Sequence, residues 1–137
     1  MRIMALDIGV RRIGIAISDA LRVTAQGLEV LTRVGNRKDF ERLASIIQEH
    51  EVSEVVLGYP KNMNGTIGEK CEEVEHYAEL LKEKFPELKI HFWDERLSTL
   101  EAQRLLVSAD VRRDKRKTVV DKMAAVIILQ GFLKRFY

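Results

Sequence analysis

Two neighbouring runs of hydrophobic residues in the first part of the chain have the patterns of β-strands. The run 3–8 is apolar apart from Asp7, and after a short turn the isoleucines of residues 13–18 alternate with small residues. The apolar run predicts a strand buried on both faces, and the alternating run predicts a second strand. Because a glycine-containing turn joins the two runs, together they predict a hairpin. A third apolar run over residues 27–32 extends the prediction to a meander of three strands.

Four helix starts are indicated by a possible N-cap side chain with an acid three residues later. The four pairs are Asn36 with Asp39, Thr66 with Glu69, Ser98 with Glu101, and Thr118 with Asp121. Between the first three helices lie the apolar runs 54–58 and 89–93, which we interpret as parallel strands reached by crossovers. The order of three strands, helix, strand, helix, strand, helix, helix predicts an α/β layer structure with a mixed sheet.

Composition limits the classes of protein to consider. The chain has 137 residues, of which 46% are hydrophobic and 32% charged, and this predicts one domain, residues 1–137, with a core of ordinary size. No apolar run approaches the roughly 20 residues of a membrane span, and the first residues do not have the pattern of a signal peptide. We therefore expect a cytoplasmic protein without membrane contact, and the single cysteine, Cys71, fits a reducing compartment.

Asp7 is an acid inside an apolar strand that is expected to be buried on both faces. An ionised carboxylate is costly there without a partner. A divalent cation is the partner that would also bring a function. The alternative is that hairpin amides, or Arg2, Arg11 and Arg12, hold the carboxylate.

Two further acids occupy positions where such a cation could be shared. Glu95, with Asp94 before it, directly follows the run 89–93, and α/β proteins bind ligands at the carboxyl ends of parallel strands. Asp121 lies on the last amphipathic segment. Both have a plain alternative, because Asp94 and Glu95 precede a predicted helix whose dipole favours acids, and Asp121 fits the capping box that Thr118 begins.

Positive charge is concentrated in one segment, although the net charge is only +2. Residues 112–117 contain five cations, namely Arg112, Arg113, Lys115, Arg116 and Lys117. In a loop beside Asp121 these five cations would hold phosphates near the acids. Arg11, Arg12 and Arg96 would add positive charge at the entrance to the same predicted site. A charge run of this kind is also typical of a solvated loop.

The segment 58–65 is a second possible contact surface, because it forms a long loop after a predicted parallel strand. Its glycines and asparagines would allow close backbone approach, although a plain turn explains them equally well. Tyr59 could stack on an unpaired base, whereas Phe92 and Trp93 are expected in the core.

Four segments that together span most of the chain carry a recognisable pattern. They are Asp7–Asp19, Gly58–Pro60 with Gly65, Asp94–Thr99, and Asp121–Ala125 with Ile127–Gln130. In this order and at these separations they resemble the YqgF family, also called RuvX, whose members are described as Holliday junction resolvases or as nucleases that mature the small-subunit ribosomal RNA precursor. The resemblance implies a ribonuclease H-like fold, with a mixed five-stranded sheet flanked by helices. It also implies that Asp7, Glu95 and Asp121 are the acidic active-site residues.

An active site of this kind implies a metal-dependent hydrolase. Three carboxylates without a cysteine or histidine cluster suit Mg²⁺ or Mn²⁺, and we expect the three histidines to be structural. Two bound ions would activate a water for attack on phosphorus and stabilise the departing 3′ oxygen. Asp7 would bridge both ions, Glu95 and Asp121 would complete their shells, and Asp94 is the reserve ligand.

The primary hypothesis is a nuclease, acting as an endonuclease or exonuclease, in maturation of the 5′ end of the 16S ribosomal RNA precursor, with ribosomal precursor particles as possible partners. Resolution of four-way DNA junctions is the enzymatic alternative, and its two coordinated cuts require a homodimer rather than a monomer. A non-catalytic nucleic-acid-binding module is the alternative of another class, and the intact acidic triad argues against it. An actin-like ATPase or sugar kinase shares the pattern around Asp7 but needs a second domain.

Overall fold

The computed structural model describes residues 1–60, 68–94 and 113–137, and for residues 113–121 it describes the backbone alone. The strands in these ranges are β1 (Arg2–Ile8), β2 (Arg12–Ser18), β3 (Ala25–Thr32), β4 (Val52–Tyr59) and β5 (Lys89–Asp94). The helices in these ranges are α1 (Asn36–Glu49), α2 (Glu69–Lys84) and α3 (Arg113–Phe136). The helix predicted to begin at Ser98 lies outside the described residues.

The five strands form one mixed sheet in the order β3-β2-β1-β4-β5. The three strands of the predicted meander pair antiparallel, and β1 pairs parallel with β4, which in turn pairs parallel with β5. This confirms the predicted mixed five-stranded sheet. The carboxyl ends of β1, β4 and β5 therefore meet at one edge of the sheet, together with the turn between β1 and β2.

The sheet separates two cores, because strand side chains alternate between its faces. On β1, Met4 and Leu6 pack with apolar residues of α1 and α2, whereas Ile3 and Ala5 pack with those of α3. These four residues are fully buried, so the strand is buried on both faces as predicted. Complete burial of a side chain the size of leucine or isoleucine contributes about 1.5–3 kcal/mol to the stability of the fold. Because β1 contributes buried side chains to both cores, it is the strand that joins them.

Two glycines allow α3 to approach the sheet closely. A Cβ atom at Gly131 would lie 2.9 Å from the ring atom Cζ2 of Trp93, and one at Gly27 of β3 would lie 2.5 Å from Cγ of Lys122. The indole thus packs directly on the backbone of α3, and the stem of Lys122 crosses β3. A larger residue at either position would push the helix and the sheet apart.

The direction of α3 follows from its last residues. The hydroxyl of Tyr137, which directly follows the helix, donates a hydrogen bond to Oε2 of Glu54 at 3.1 Å, and Glu54 lies near the start of β4. The end of α3 is therefore at the amino ends of the parallel strands. Its first half is directed towards their carboxyl ends, where β1 brings Asp7.

Helix α1 begins at Asn36 as predicted, but the predicted capping side chains are wrong where the structure describes them. Gly35, not Asn36, is the N-cap of α1, and no side chain caps that helix. Helix α2 begins after Gly68 rather than after Thr66, which itself lies outside the described residues. Helix α3 begins at Arg113, which places Thr118 inside it.

The early start of α3 corrects two expectations about its charged residues. Asp121 is the ninth residue of the helix, so it cannot be the acid of a capping box at the start. Four of the five predicted loop cations, Arg113, Lys115, Arg116 and Lys117, belong to the first two turns of the helix rather than to a loop. Arg112 lies outside the described residues.

Candidate active site

Asp7 is half-buried near the carboxyl end of the central strand. Its position alternates onto the same face as Ile3 and Ala5, which is the face covered by α3. In the register with β2 its neighbour is Gly14, and on the β4 side the residue after the Leu6–Leu57 pair is a glycine. The strand positions directly beside Asp7 on both sides are therefore glycines.

Arg2 is not the partner of Asp7, although the two lie on the same strand. Its guanidinium is at the other end of β1 and donates a hydrogen bond to the carbonyl of His50 at 3.2 Å. Of the three arginines considered from the sequence, Arg11 and Arg12 are the two at the same edge of the sheet as the carboxylate. Arg11 is exposed and Arg12 is half-buried.

The turn that follows Asp7 is fixed by hydrogen bonds on two sides. The N–H of Gly9 donates to the carbonyl of Arg12 at 2.8 Å, and a Cβ atom at Gly9 would lie 2.8 Å from that same oxygen. The guanidinium of Arg33 donates from Nη1 to the carbonyl of Gly9 at 2.8 Å. A glycine is therefore required at this position, and Arg33 holds the turn from outside.

Arg33 is itself positioned by the buried aromatic ring of Tyr77. Its guanidinium carbon lies 5.3 Å from the centre of the Tyr77 ring, a distance typical of a cation–π contact. Burial raises the pKa of Tyr77 to about 12, so its hydroxyl stays neutral. Arg33 was missed by the sequence reasoning, because the contacts that reveal its role come from distant parts of the chain.

The two other predicted ligands lie partly outside the described residues. Glu95 and Arg96 are outside them, and for Asp121 the structure describes the backbone position in α3 alone. Asp94 ends β5 opposite Tyr59. Its strand position alternates onto the face of Ile90, which packs towards α1 and α2, opposite to the face of Asp7.

Tyr59 does not present its ring to an unpaired base, contrary to the sequence prediction. The residue is buried, its hydroxyl donates a hydrogen bond to Glu75, and its ring contacts Phe92 edge to face with centroids 5.2 Å apart. The bond to Glu75 raises the pKa of the Tyr59 hydroxyl, which therefore stays protonated. Trp93 packs against α3 as predicted, but the expectation that Phe92 is a core residue is wrong, since 45% of it is exposed.

His91 has the structural role expected for it. Its Nε2 atom lies 2.9 Å from Oε1 of Glu54, and Arg22 completes the group with Nη1 at 3.1 Å from Oε2 of the same carboxylate. In the described part of the chain no three acidic, histidine or cysteine side chains are grouped so that they could hold a metal ion. Since Glu95 and the side chain of Asp121 are not in that part, the acidic cage stays a prediction.

The helices that the structure describes are not membrane spans. None of them combines the length and the hydropathy that a bilayer crossing requires.

Two solved structures share the arrangement of sheet and helices. A structure titled "T. thermophilus RuvC in complex with Holliday junction substrate" has a TM-score of 0.58 and 12% sequence identity, covering 98% of this chain and 95% of that chain. A Fowlpox virus resolvase in complex with Holliday junction DNA has a TM-score of 0.58 and 16% identity, covering 98% of both chains. At these identities the likeness establishes the class of fold, which is the ribonuclease H-like fold of resolvases.

The family follows from sequence comparisons. A family model described as "RuvX: Holliday junction resolvase" matches residues 1–135. A "Putative pre-16S rRNA nuclease" of Desulfitobacterium hafniense is 56% identical over 133 residues, which are 97% of this chain and 92% of that protein. A protein of the same name from Halalkalibacterium halodurans is 54% identical over 137 residues, covering 98% of this chain and 97% of that protein. The chain belongs to the RuvX family.

Proposed function

We propose that residues 1–137 act as a single metal-dependent nuclease domain that hydrolyses phosphodiester bonds. The observation that carries the proposal is the position of Asp7. It lies at the carboxyl edge of the central strand, on the sheet face covered by α3, in a chain of the RuvX family.

Helix geometry supports Asp121 as a second acid at this edge. Asp121 precedes Ala125 by four residues and Ile128 by seven, and at 3.6 residues per turn these three positions share one side of the helix. Ala125 and Ile128 pack on the same face of the sheet as Asp7. The first half of α3 also runs towards the edge at which Asp7 lies.

Glu95 is the better candidate for the third acid. Asp94 is on the opposite face of the sheet from Asp7, as its alternation with Ile90 indicates, and this disfavours the reserve ligand. Three carboxylates are a fitting donor set for Mg²⁺ or Mn²⁺, because both ions prefer oxygen ligands. Such ions supply a nucleophilic water and stabilise the leaving oxygen when bound, while the carboxylates fix their positions and balance their charge.

The start of α3 supports a polyanionic substrate. The first five described residues of α3 include Arg113, Lys115, Arg116 and Lys117, and like charges close together on one helix destabilise it. Bound phosphates would offset this cost. The proposed nucleic-acid contacts are therefore these four residues with Arg11, Arg12, Arg96 and Arg112.

We propose RNA processing in the cytoplasm as the first substrate assignment, at the 5′ end of the 16S ribosomal RNA precursor and on ribosomal precursor particles. The names of relatives more than half identical to this chain support it. The description of the family supports junction resolution as the second candidate, and that activity requires a homodimer with two paired sites.

The experiment that tests the function compares two substrates under the same conditions. A ribosomal RNA precursor and a four-way DNA junction are incubated with the protein in Mg²⁺, in Mn²⁺ and in chelator. We expect metal-dependent cleavage of the RNA. Cleavage of the junction alone would transfer the assignment to resolution, and binding without cleavage of either substrate would favour the non-catalytic module.

A further inference from the structure

Two exposed valines lie beside the turn that follows Asp7. Val10 is 78% exposed and Val34 is 69% exposed. The N–H of Arg33 donates to the carbonyl of Arg11 at 2.8 Å, which continues the pairing of β2 and β3 beyond its last strand pair. Because Val10 precedes Arg11 and Val34 follows Arg33, this bond brings both valines and both arginines into one small surface. We call Val10, Arg11, Arg33 and Val34 the hairpin edge.

The surroundings of the hairpin edge are strongly cationic. Residues 9–12 and 33–38 include Arg11, Arg12, Arg33, Arg37 and Lys38 and contain no acid. The next residue, Asp39, is only 1% exposed, and its carboxylate accepts a hydrogen bond from the N–H of Val34 at 3.2 Å. Asp39 therefore lies beneath the surface rather than on it, and Arg37 has an acidic neighbour in Glu41, with 4.0 Å between Nε and Oε1. The remaining cations outnumber these acids, so the surface is complementary to a polyanion.

Arg33 is prepared to bind a phosphate at little further entropic cost. Its Nη1 atom already donates to the carbonyl of Gly9 at 2.8 Å, and its guanidinium rests over the ring of Tyr77. A guanidinium has five N–H donors in a rigid plane. In the described part of the chain no acid forms a salt bridge with Arg33, so donors stay available for a ligand.

Exposed apolar side chains next to arginines suit a single strand better than a duplex. In an unpaired strand the faces of the bases are accessible for contact, and binding combines backbone electrostatics with apolar contact to those faces. In a duplex the bases are stacked and paired, and the valines would meet only sugar and phosphate. The surface also lies at the same edge of the sheet as Asp7, so a strand bound there passes close to the proposed site of cleavage.

We infer that the hairpin edge binds an unpaired strand of the substrate next to the scissile bond, with its phosphates on Arg11 and Arg33 and its bases against Val10 and Val34. The inference rests on the proposed nuclease function and gives it a substrate class. The enzyme prefers a nucleic acid with a single-stranded extension at the cleavage site over a fully paired one.

Cleavage and binding together test the inference. Two labelled RNAs with the same cleavage site, one with an unpaired extension and one fully paired, are compared by initial rates and by fluorescence anisotropy. For the extended RNA we expect Val10→Ser with Val34→Ser to raise KM and Kd about tenfold, the equivalent of ~1.4 kcal/mol, with kcat unchanged. Arg33→Gln should weaken binding of the extended RNA and also reduce its salt dependence.

Matched controls lie at the opposite end of the sheet and of α3. Val23 is 71% exposed in the connection between β2 and β3, and Arg135 is exposed in the last turn of α3. Val23→Ser and Arg135→Gln should leave KM and Kd at wild-type values.

Equal affinity of the wild type for the two RNAs, or an unchanged Kd in the variant with Val10→Ser and Val34→Ser, would overturn the inference. If the wild type cleaves neither RNA, the assignment to RNA processing fails, and anisotropy still decides whether the hairpin edge binds the strand.

Discussion

At the scale of the residue, Glu54 is a buried acid with three side-chain partners, and it is remote from the proposed site. It is 8% exposed, and it interacts with His91, Tyr137 and Arg22. Burial alone would raise the pKa of Glu54, but the hydrogen bonds from His91 and Tyr137 and the charge of Arg22 outweigh it and lower the pKa. The group joins β4, β5 and the end of α3, so we assign it to stability rather than to catalysis.

The lowered pKa of Glu54 predicts a pH dependence of stability. A carboxylate with a depressed folded-state pKa stabilises the fold above its unfolded value, 4.5, and this contribution is lost as the pH falls through the folded-state pKa. Glu54→Gln should cost about 1.5–3 kcal/mol of unfolding free energy at neutral pH and remove part of the acid-induced loss. Chemical denaturation as a function of pH measures both. The exposed Glu79→Gln is the control, and equal stability of the two variants would contradict the role of Glu54.

At the scale of the element, the type and order of the described strands and helices could be predicted, and so could the start of α1 at Asn36, whereas the side chains that cap the helices could not. Apolar runs and alternation extend over several residues each, so all five strands were found with boundaries shifted by at most two residues. A capping box is only two residues. Asn36 is not the N-cap, because that position is taken by Gly35 with φ 144°, a conformation that favours glycine. The carboxylate of Asp39 accepts a hydrogen bond from the N–H of Val34 and so does not complete a capping box with Asn36. Thr118 is not an N-cap either, because α3 already includes the five residues before it.

The contact between α3 and the sheet gives a prediction at this scale. Alanine normally stabilises a helix interior by about 1 kcal/mol relative to glycine, but at Gly131 the new Cβ would lie 2.9 Å from the indole of Trp93. We expect Gly131→Ala to lose ~1 kcal/mol net, since overpacking costs about 1–3 kcal/mol. Trp93 is the one tryptophan of the chain, so its emission should shift as the ring is displaced. The exposed Gln130→Ala is the control, and a stabilised Gly131→Ala with unchanged emission would refute the contact.

At the scale of the whole molecule, the proposed site collects residues that are far apart in the sequence. Asp7 was predicted because it interrupts an apolar run, and its edge of the sheet followed from the order of the strands. Arg33 and the hairpin edge were missed because they depend on pairing between the β1–β2 turn and the end of β3. The exposed state of Phe92 and the burial of Tyr59 were missed for a similar reason, since a strand end does not reveal which face is covered.

The two ends of α3 provide an internal comparison of charge. Lys115→Gln with Arg116→Gln should weaken binding of the RNA and reduce the slope of log Kd against log salt by about 0.7–0.9 for each phosphate that the variant no longer neutralises. The same change should slightly raise the unfolding free energy, because it removes the repulsion between Arg116 and Arg113, which lies three residues earlier on the same helix. Lys134→Gln with Arg135→Gln, in the last turn of the same helix, is the matched control. Equal salt slopes for the two double variants would show that the first turns of α3 are only a solvated face.

The most direct measurement of the central claim is metal-dependent cleavage by Asp7→Asn, with the unfolding free energy and Mg²⁺ binding measured on the same protein. Asparagine keeps the size of the side chain and removes its charge, and the exposed Glu79→Gln is the control for charge removal elsewhere. We predict that Asp7→Asn folds stably, binds Mg²⁺ more weakly and cleaves at least a hundredfold more slowly, a reduction of ~2.7 kcal/mol in transition-state stabilisation. A well-folded Asp7→Asn protein that cleaves at the wild-type rate would contradict the assignment of Asp7 to the active site.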